Sequence, residues 1–191
     1  MFRTARGNVK AIPDMNPMFF ICVGDLLGGV HHISTDEREL GMHYQRRSMK
    51  DIFDEQKQKV WEHFSDEEKK KIEEIQKKVD ELSEEIGTYG ICHGDFHVNN
   101  FFVEANNIWL FDFDGCAYAN YLYDVASFVQ SCFLQGYGAG KDCRKVLEEE
   151  IMPYFKLGYE LNHKGDEYYW DHLELLISYR TAFTLLKLAE I

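Results

Sequence analysis

The sequence is poor in proline, in positive charge and in long apolar runs, and each shortage narrows the class of protein. Three prolines in 191 residues, with no low-complexity segment and no internal repeat, favour one globular domain. The 21 basic residues are outnumbered by 33 acidic ones, and the net charge of −12 argues against nucleic acid or an anionic membrane as a partner. We expect no apolar run of membrane-spanning length, and the N-terminus has no signal-peptide pattern.

The five cysteines show neither an even number nor the spacing of a metal site. Most of them have apolar neighbours, which is typical of buried, reduced thiols. Such thiols persist in the cytoplasm, so a cytoplasmic location is expected. The residues concerned are Cys22, Cys92, Cys116, Cys132 and Cys143.

Helical periodicity predicts most of the secondary structure. Apolar residues at helical spacing from Phe19 to Val30 predict a first helix, and the polar stretch 34–49 after it predicts a loop. Ser65 and Glu68 form a capping-box pattern that begins another helix, which Gly87 is expected to end. Further helices are predicted at 50–64, 121–134, 143–161 and from Glu167 to the terminus.

Two polar clusters, residues 93–100 and 111–114, follow short apolar runs that predict buried strands. The first reads His-Gly-Asp-Phe-His-Val-Asn-Asn and the second Phe-Asp-Phe-Asp. Asn106-Asn107 separates the apolar runs 101–103 and 108–111 and predicts a β-hairpin. Each polar cluster therefore lies at a strand end, where side chains can converge.

The clusters contain a base, an amide and a carboxylate in the order that metal-assisted phosphoryl transfer requires. The transferring group needs positioning and charge neutralisation more than covalent chemistry, and Mg²⁺ supplies much of both. In this interpretation Asp95 orients or deprotonates the acceptor hydroxyl, while Asn100 and Asp112 hold Mg²⁺ through hard oxygen atoms. Asp114 is either a second metal ligand or an acceptor that orients the loop.

The motif His93-Gly94-Asp95 with Asn100, followed by Asp112, resembles the catalytic and metal loops of the aminoglycoside phosphotransferase family. That family shares the protein-kinase-like fold with choline kinases. Protein kinases have an arginine where Gly94 stands and a glycine where Asp114 stands. Segments 20–34 and 121–126 also resemble helices of that family, so the likeness covers roughly residues 18–191.

The resemblance implies an α+β fold that is mainly α: the helical C-terminal lobe of the protein-kinase-like fold, with a small β-hairpin carrying both loops. It also implies ATP or GTP and Mg²⁺ as cofactors and a small-molecule hydroxyl substrate, for which the acidic charge suits a cation. His93 would pack beside the metal loop. Asp124 would cap a helix N-terminus and brace the catalytic loop.

A complete kinase of this type also has an N-terminal β lobe with a Gly-rich turn and a nucleotide-binding lysine. Before Phe19 the sequence offers only Gly7 and Lys10 for these roles. We therefore expect residues 1–17 to be an irregular entry and residues 18–191 to form the C-terminal lobe alone. Such a chain would bind ATP weakly by itself, and an N-terminal lobe on a separate chain would be a natural partner.

Three other interpretations remain open. The run 110–115 resembles the first motif of haloacid-dehalogenase-type phosphatases, with Asp112 as nucleophile and Asp114 as acid/base, although too few residues follow for that fold. His93 and His97 have the spacing of a paired-histidine zinc site but lack the helix that such a site needs. A non-catalytic binding or regulatory module derived from a kinase lobe would explain the absent N-terminal lobe.

Overall fold

The computed structural model describes residues 15–82, 84–85, 87–104, 107–164 and 169–191, and these are predominantly helical with two small antiparallel sheets. The helices are α1 (Pro17–Glu39), α2 (Met49–Val60), α3 (Asp66–Asp80), α4 (Leu122–Leu134), α5 (Cys143–Val146), α6 (Met152–Tyr159) and α7 (Leu173–Leu188). The strands are β1 (Tyr89–Cys92), β2 (Phe101–Glu104), β3 (Asn107–Leu110) and β4 (Ala117–Asn120). The predicted mainly helical architecture is confirmed at this level.

Helix α1 is longer than predicted, because the stretch from Ser34 to Glu39 continues the helix instead of forming a loop. Two of its polar residues, Ser34 and Arg38, contact β1. The Ser34 hydroxyl accepts a hydrogen bond from the Ile91 amide at 2.7 Å, and the Arg38 guanidinium donates to the carbonyl of Tyr89. Polarity in this turn therefore marks a contact with a strand edge, which local periodicity cannot distinguish from solvent exposure.

Close packing of α1 against α6 depends on Gly24 and Gly28. A Cβ atom on Gly24 would lie 2.1 Å from the Phe155 carbonyl oxygen, and one on Gly28 would lie 2.3 Å from that of Tyr159. The two helix backbones are thus in direct contact. This pairing buries the apolar face of α1 inside the domain.

Among the described residues, α1 is long and apolar enough to cross a membrane by length and composition, so the expectation that no run reaches that length is wrong. Core helices pass the same test. The contacts of α1 with α6 and with β1 account for its apolar character within the fold.

Helix α3 begins as predicted and ends earlier. Ser65 and Glu68 form both hydrogen bonds of the capping box, but the helix ends at Asp80 and not at Gly87. After that point the carbonyl of Glu84 accepts from Arg38 at 3.2 Å, so the chain turns toward α1. Ile86, just before the predicted end of this helix, lies outside the described residues.

The two sheets bring the polar clusters to adjacent strand ends. Strands β2 and β3 form the predicted antiparallel hairpin, with Phe101 opposite Leu110, while Asn106 in its turn lies outside the described residues. Strand β1 pairs with β4, with Cys92 opposite Ala117. β4 was not predicted because its four residues follow directly on a polar loop and show no extended apolar alternation.

The C-terminal third differs from the prediction in two places. The helix predicted at 143–161 is α5 and α6 joined by a π-helical turn at Leu147–Ile151, just before Pro153. Proline has no amide hydrogen and clashes with the preceding turn, which accounts for the local widening. The final helix begins at Leu173; Glu167, its predicted start, lies outside the described residues.

All five cysteines are free. Cys92 and Cys132 are buried as expected, and burial raises the pKa of each thiol. Cys143 is exposed and the other two are half-buried, so the expectation of burial is wrong for these three.

Candidate active site

The two polar clusters share one cavity. Asp95 and Asp112 both line a cavity of about 260 Å³, together with backbone from Gly94 and Gly115. The opposite wall comes from α2 and α7. Side chains that are distant in sequence thus meet at the ends of β1 and β3.

The loop after β1, residues 93–100, is fixed by a buried carboxylate. Asp124 accepts the His93 amide at 2.6 Å through Oδ2 and the Gly94 amide at 2.9 Å through Oδ1. Asp124 is the third residue of α4, and Tyr121 occupies the N-cap position, so the predicted helix-capping role is wrong. Its carboxylate serves the loop because α4 begins directly beneath it.

Gly94 is required by the close approach of the two loops. Its φ of +80° lies in the left-handed region, and a Cβ atom there would come within 2.0 Å of the Gly115 carbonyl oxygen. Gly115 follows Asp112 by one 3₁₀ turn. The backbones of the loops that follow β1 and β3 are therefore in direct contact.

His93 connects the two loops by hydrogen bonds. Its Nδ1 accepts from the Asp95 amide at 3.3 Å, and its Nε2 donates to the Phe111 carbonyl at 3.0 Å. These partners assign the hydrogen to Nε2. Both ring nitrogens are occupied, and the paired-histidine zinc interpretation with His97 has no geometric support.

Asp112 has a backbone conformation that is rare for its residue type. With φ of 67° and ψ of 61° it is, among the described residues, the one non-glycine residue with positive φ. Aspartate tolerates this region better than most residues, and such strain is concentrated at functional sites. Phe113 and Asp114 follow in an exposed 3₁₀ turn, and Asp114 does not line the cavity.

The carboxylate of Asp95 contacts two side chains, Arg180 and His97. Arg180 donates to Oδ1 at 2.8 Å, and His97 Nε2 lies 3.2 Å from Oδ2. Burial alone would raise the pKa of the Asp95 carboxyl, but the hydrogen bond from His97 and the charge of Arg180 outweigh it. The pKa of Asp95 is therefore well below its usual range.

Arg180 is a residue of the candidate site that sequence reasoning missed. It lies on α7 and is almost fully buried, and it donates through Nη1 to the Tyr123 hydroxyl at 2.9 Å and through Nη2 to Asp95. Burial raises the pKa of Tyr123 to about 12, so its hydroxyl remains neutral and accepts this bond. The sequence does contain one signal for this residue, an arginine within the apolar pattern of the last helix. Such an arginine is expected to be buried, and a buried arginine is expected to have a partner.

Asn100 is buried, with its amide oriented by the loop. Its Nδ2 donates to the Asp95 carbonyl at 3.0 Å, which leaves Oδ1 as the atom able to meet a cation. An amide oxygen and the Asp112 carboxylate are the hard donors that Mg²⁺ prefers, so the chemistry of this donor set fits the metal.

The described residues contain one convergent trio of metal-type side chains, at His31, Cys92 and Asp124, and it is fully buried. Its atoms already have partners, since His31 lies 2.7 Å from the Tyr159 hydroxyl through Nδ1 and 3.4 Å from Asp124 through Nε2. Burial also raises the pKa of the Cys92 thiol, which disfavours the thiolate that binds metals. Within this trio, His31 contacts the carboxylate of Asp124 that binds the loop after β1.

A family comparison agrees with this geometry. The model of the phosphotransferase enzyme family (APH) matches residues 16–144, which is more than half of the chain and includes both loops. The chain belongs to this phosphotransferase family. The resemblance of the His93–Asn100 and Asp112 motifs is thereby confirmed at the level of the family.

The fold of this phosphotransferase family member is similar to that of a solved kinase. The amicoumacin kinase hAmiN, solved in complex with AMP-PNP, Ca²⁺ and Ami, superposes with a TM-score of 0.83 at 19% sequence identity. The match covers 98% of this chain and 56% of that one, so the chain spans little more than half of that kinase. No curated protein sequence gives a significant match.

These comparisons do not favour the haloacid-dehalogenase interpretation of Asp112 and Asp114. That fold places its nucleophile after a strand of a doubly wound parallel sheet. Here β3 belongs to a two-stranded antiparallel sheet with β2, within the part of the chain that the structure describes. The family membership and the helical fold instead agree with a phosphotransferase.

Proposed function

We propose that the chain carries the catalytic and metal loops of an ATP- or GTP-dependent phosphotransferase that transfers the γ-phosphoryl group to a hydroxyl of a small molecule. The observation that carries this proposal is the shared cavity of Asp95 and Asp112, with His93 hydrogen-bonded to both loops. The positive φ of Asp112 also supports the proposal. A strained backbone conformation persists only where the surrounding fold enforces it, and such residues cluster at functional sites.

Asp95 acts in this proposal by orienting the acceptor hydroxyl. Arg180 and His97 stabilise its ionised form, so the carboxylate has a low proton affinity and is a weak base. A weak base suffices because phosphoryl transfer has a loose transition state that needs little activation of the nucleophile. Asp95 would accept the hydrogen bond of the hydroxyl first and its proton late in the transfer.

Asn100 and Asp112 are the residues that would hold Mg²⁺. The bound ion would neutralise charge on the phosphoryl oxygens. Asn100 is prepared for this role because the Asp95 carbonyl occupies its Nδ2. Asp114, the second predicted metal ligand, lies in an exposed turn outside the cavity lining, which favours an orienting role for it.

The proposal is tested by nucleotide binding to the wild type and to Asp112→Asn. We expect Mg–AMP-PNP to bind the wild type in calorimetric titrations, and Mn²⁺ with AMP-PNP to broaden the NMR signals of Asp95 and Asn100. Asp112→Asn should abolish the broadening. Glu73→Gln is the matched control, because it makes the same change on the exposed face of α3.

Absence of nucleotide binding and of Mn²⁺ broadening in the wild type would refute the catalytic proposal for this chain. It would support the non-catalytic binding module or a requirement for an N-terminal lobe on a separate chain. Equal broadening in Asp112→Asn and Glu73→Gln would place the metal elsewhere.

A further inference from the structure

We propose that the acceptor carries an anionic group that binds to Lys187, an inference that rests on the proposed function. The apolar part of the acceptor would lie against Met49, Ile52 and Phe183. All four side chains line the cavity that contains Asp95 and Asp112. The acceptor would thus be a hydroxyl compound with a carboxylate or a similar anion. This is opposite in charge to the cationic substrate that the net charge of −12 suggested.

One face of α7 carries the argument. Arg180, Phe183 and Lys187 are separated by three and four residues, the spacing that places side chains on the same side of a helix. Arg180 binds Asp95 at one end of this row. The helix that fixes the acceptor-orienting carboxylate therefore also lines the adjoining part of the cavity.

Lys187 is held near the cavity without a carboxylate partner. Its Nζ lies 4.9 Å from the centre of the Phe183 ring, a cation–π distance, and the described residues place no carboxylate oxygen within 4.0 Å of it. Lys59, by contrast, pairs with Glu55 and Glu190. The Lys187 side chain is thus not engaged in an ion pair with a carboxylate of the described residues and can contact a ligand.

The carboxylates of the cavity are already engaged, and this disfavours a cationic acceptor. Asp95 is bonded by Arg180 and His97, and Asp112 is assigned to the metal. No further acidic residue lines the cavity within the part of the chain that the structure describes. An ammonium group would meet Lys187 and apolar carbon, whereas an anion would meet an unpaired ammonium.

The test uses two ligands of one shape and opposite charge, para-(hydroxymethyl)benzoate and para-(hydroxymethyl)benzylamine, each titrated into the full chain with MgCl₂ present. NMR shift changes at Phe183 and Lys187 give the two dissociation constants. We expect the benzoate to bind about fivefold more tightly, the effect of one partly exposed ion pair. Lys187→Gln should abolish the preference, and Lys70→Gln on the exposed face of α3 should preserve it.

Tighter binding of the amine, a preference unchanged in Lys187→Gln, or no binding of either ligand at millimolar concentration would overturn this inference. A loss of Mg–AMP-PNP affinity in Lys187→Gln with the ligand preference unchanged would assign the ammonium to a nucleotide phosphate, and would also overturn it. A failure of the proposed function can be distinguished from a failure of this inference. It would appear as absent nucleotide binding, whichever of the two benzyl ligands binds more tightly.

Discussion

Arg180 donates a hydrogen bond of 2.8 Å to Oδ1 of Asp95, although 85 residues separate them in the sequence. The guanidinium reaches the carboxylate from the last helix, beneath the loop that follows β1. Its second nitrogen is occupied by the Tyr123 hydroxyl. The charge state of the candidate base therefore depends on the docking of α7.

Replacing Arg180 by methionine should raise the pKa of Asp95 toward its ordinary value of 3.8, because the largest positive charge beside it is removed. The variant should also lose about 1–2 kcal/mol of unfolding free energy at pH 7, since Tyr123 loses its partner. Carboxyl NMR titration and urea unfolding measure the two effects. Arg144→Met, which breaks an exposed ion pair, is the control.

The same pair predicts a dependence of stability on pH. The folded-state pKa of Asp95 is depressed, so its stabilising contribution is complete above about pH 4 and is lost as the pH falls below that value. Wild type should therefore lose more stability in strong acid than Arg180→Met. Parallel acid-unfolding curves for the two proteins would contradict the ion pair.

Gly94→Ala should be strongly destabilising, by at least about 2 kcal/mol, because strain at φ of +80° adds to a clash with the Gly115 carbonyl. Gly41→Ala separates the two effects. Gly41 has φ of +72° but no atom within 4 Å of its added Cβ, so strain alone should cost about 1 kcal/mol. Urea unfolding gives both values, and equal losses would argue against the contact between the loops.

Gly28→Ala and Gly29→Ala test the contact between α1 and α6. A Cβ on Gly28 would lie 2.3 Å from the Tyr159 oxygen, so this change should cost about 1–3 kcal/mol. The nearest atom to a Cβ on Gly29 is 3.9 Å away, so that change should stabilise the helix by about 0.5–1 kcal/mol. We therefore expect the two substitutions to change the free energy of unfolding in opposite directions, which thermal or urea unfolding measures.

The buried His163 predicts a second dependence of stability on pH, at a higher pH than that of Asp95. Burial lowers the pKa of His163 to about 4, with neighbouring His31 adding to the shift, against 6.5 for an ordinary histidine. The unfolded chain therefore binds the proton first, and stability falls as the pH drops from about 6.5 toward 4. Between pH 7 and pH 5 this amounts to about 2 kcal/mol.

His163→Gln should lose less stability between pH 7 and pH 5 than the wild type does, as measured by urea unfolding at the two pH values. His63→Gln, at an exposed position, should keep the wild-type difference. If the His163 variant keeps it as well, another group is responsible for the pH dependence.

The sequence was sufficient to predict the parts of the fold whose signals are local. The capping box at Ser65, the hairpin of β2 and β3 and the helix α4 each depend on neighbouring residues. The spacing of Asp95, Asn100 and Asp112 also predicted the loops, because one short stretch of chain carries the motif. Two of these three side chains line the same cavity.

What could not be predicted depends on partners distant in the chain. The extension of α1 accompanies contacts of Ser34 and Arg38 with β1, and the chain after α3 is bound by Arg38 through the carbonyls of Glu84 and Tyr89. Arg180 has no local pattern that connects it with Asp95. Periodicity identifies a helix and its buried face, but it carries no information on which element that face meets.

The contact between Gly94 and Gly115 has a consequence for anyone who would move this site into another protein. The two loops touch backbone to backbone, with a Cβ on Gly94 only 2.0 Å from the opposing oxygen, so an insertion in either loop would push the two carboxylates apart. Asp124 binds the amides beside that contact. A transplanted site would have to carry residues 93–100, 111–116 and Asp124 as one unit, since these contacts join the three parts.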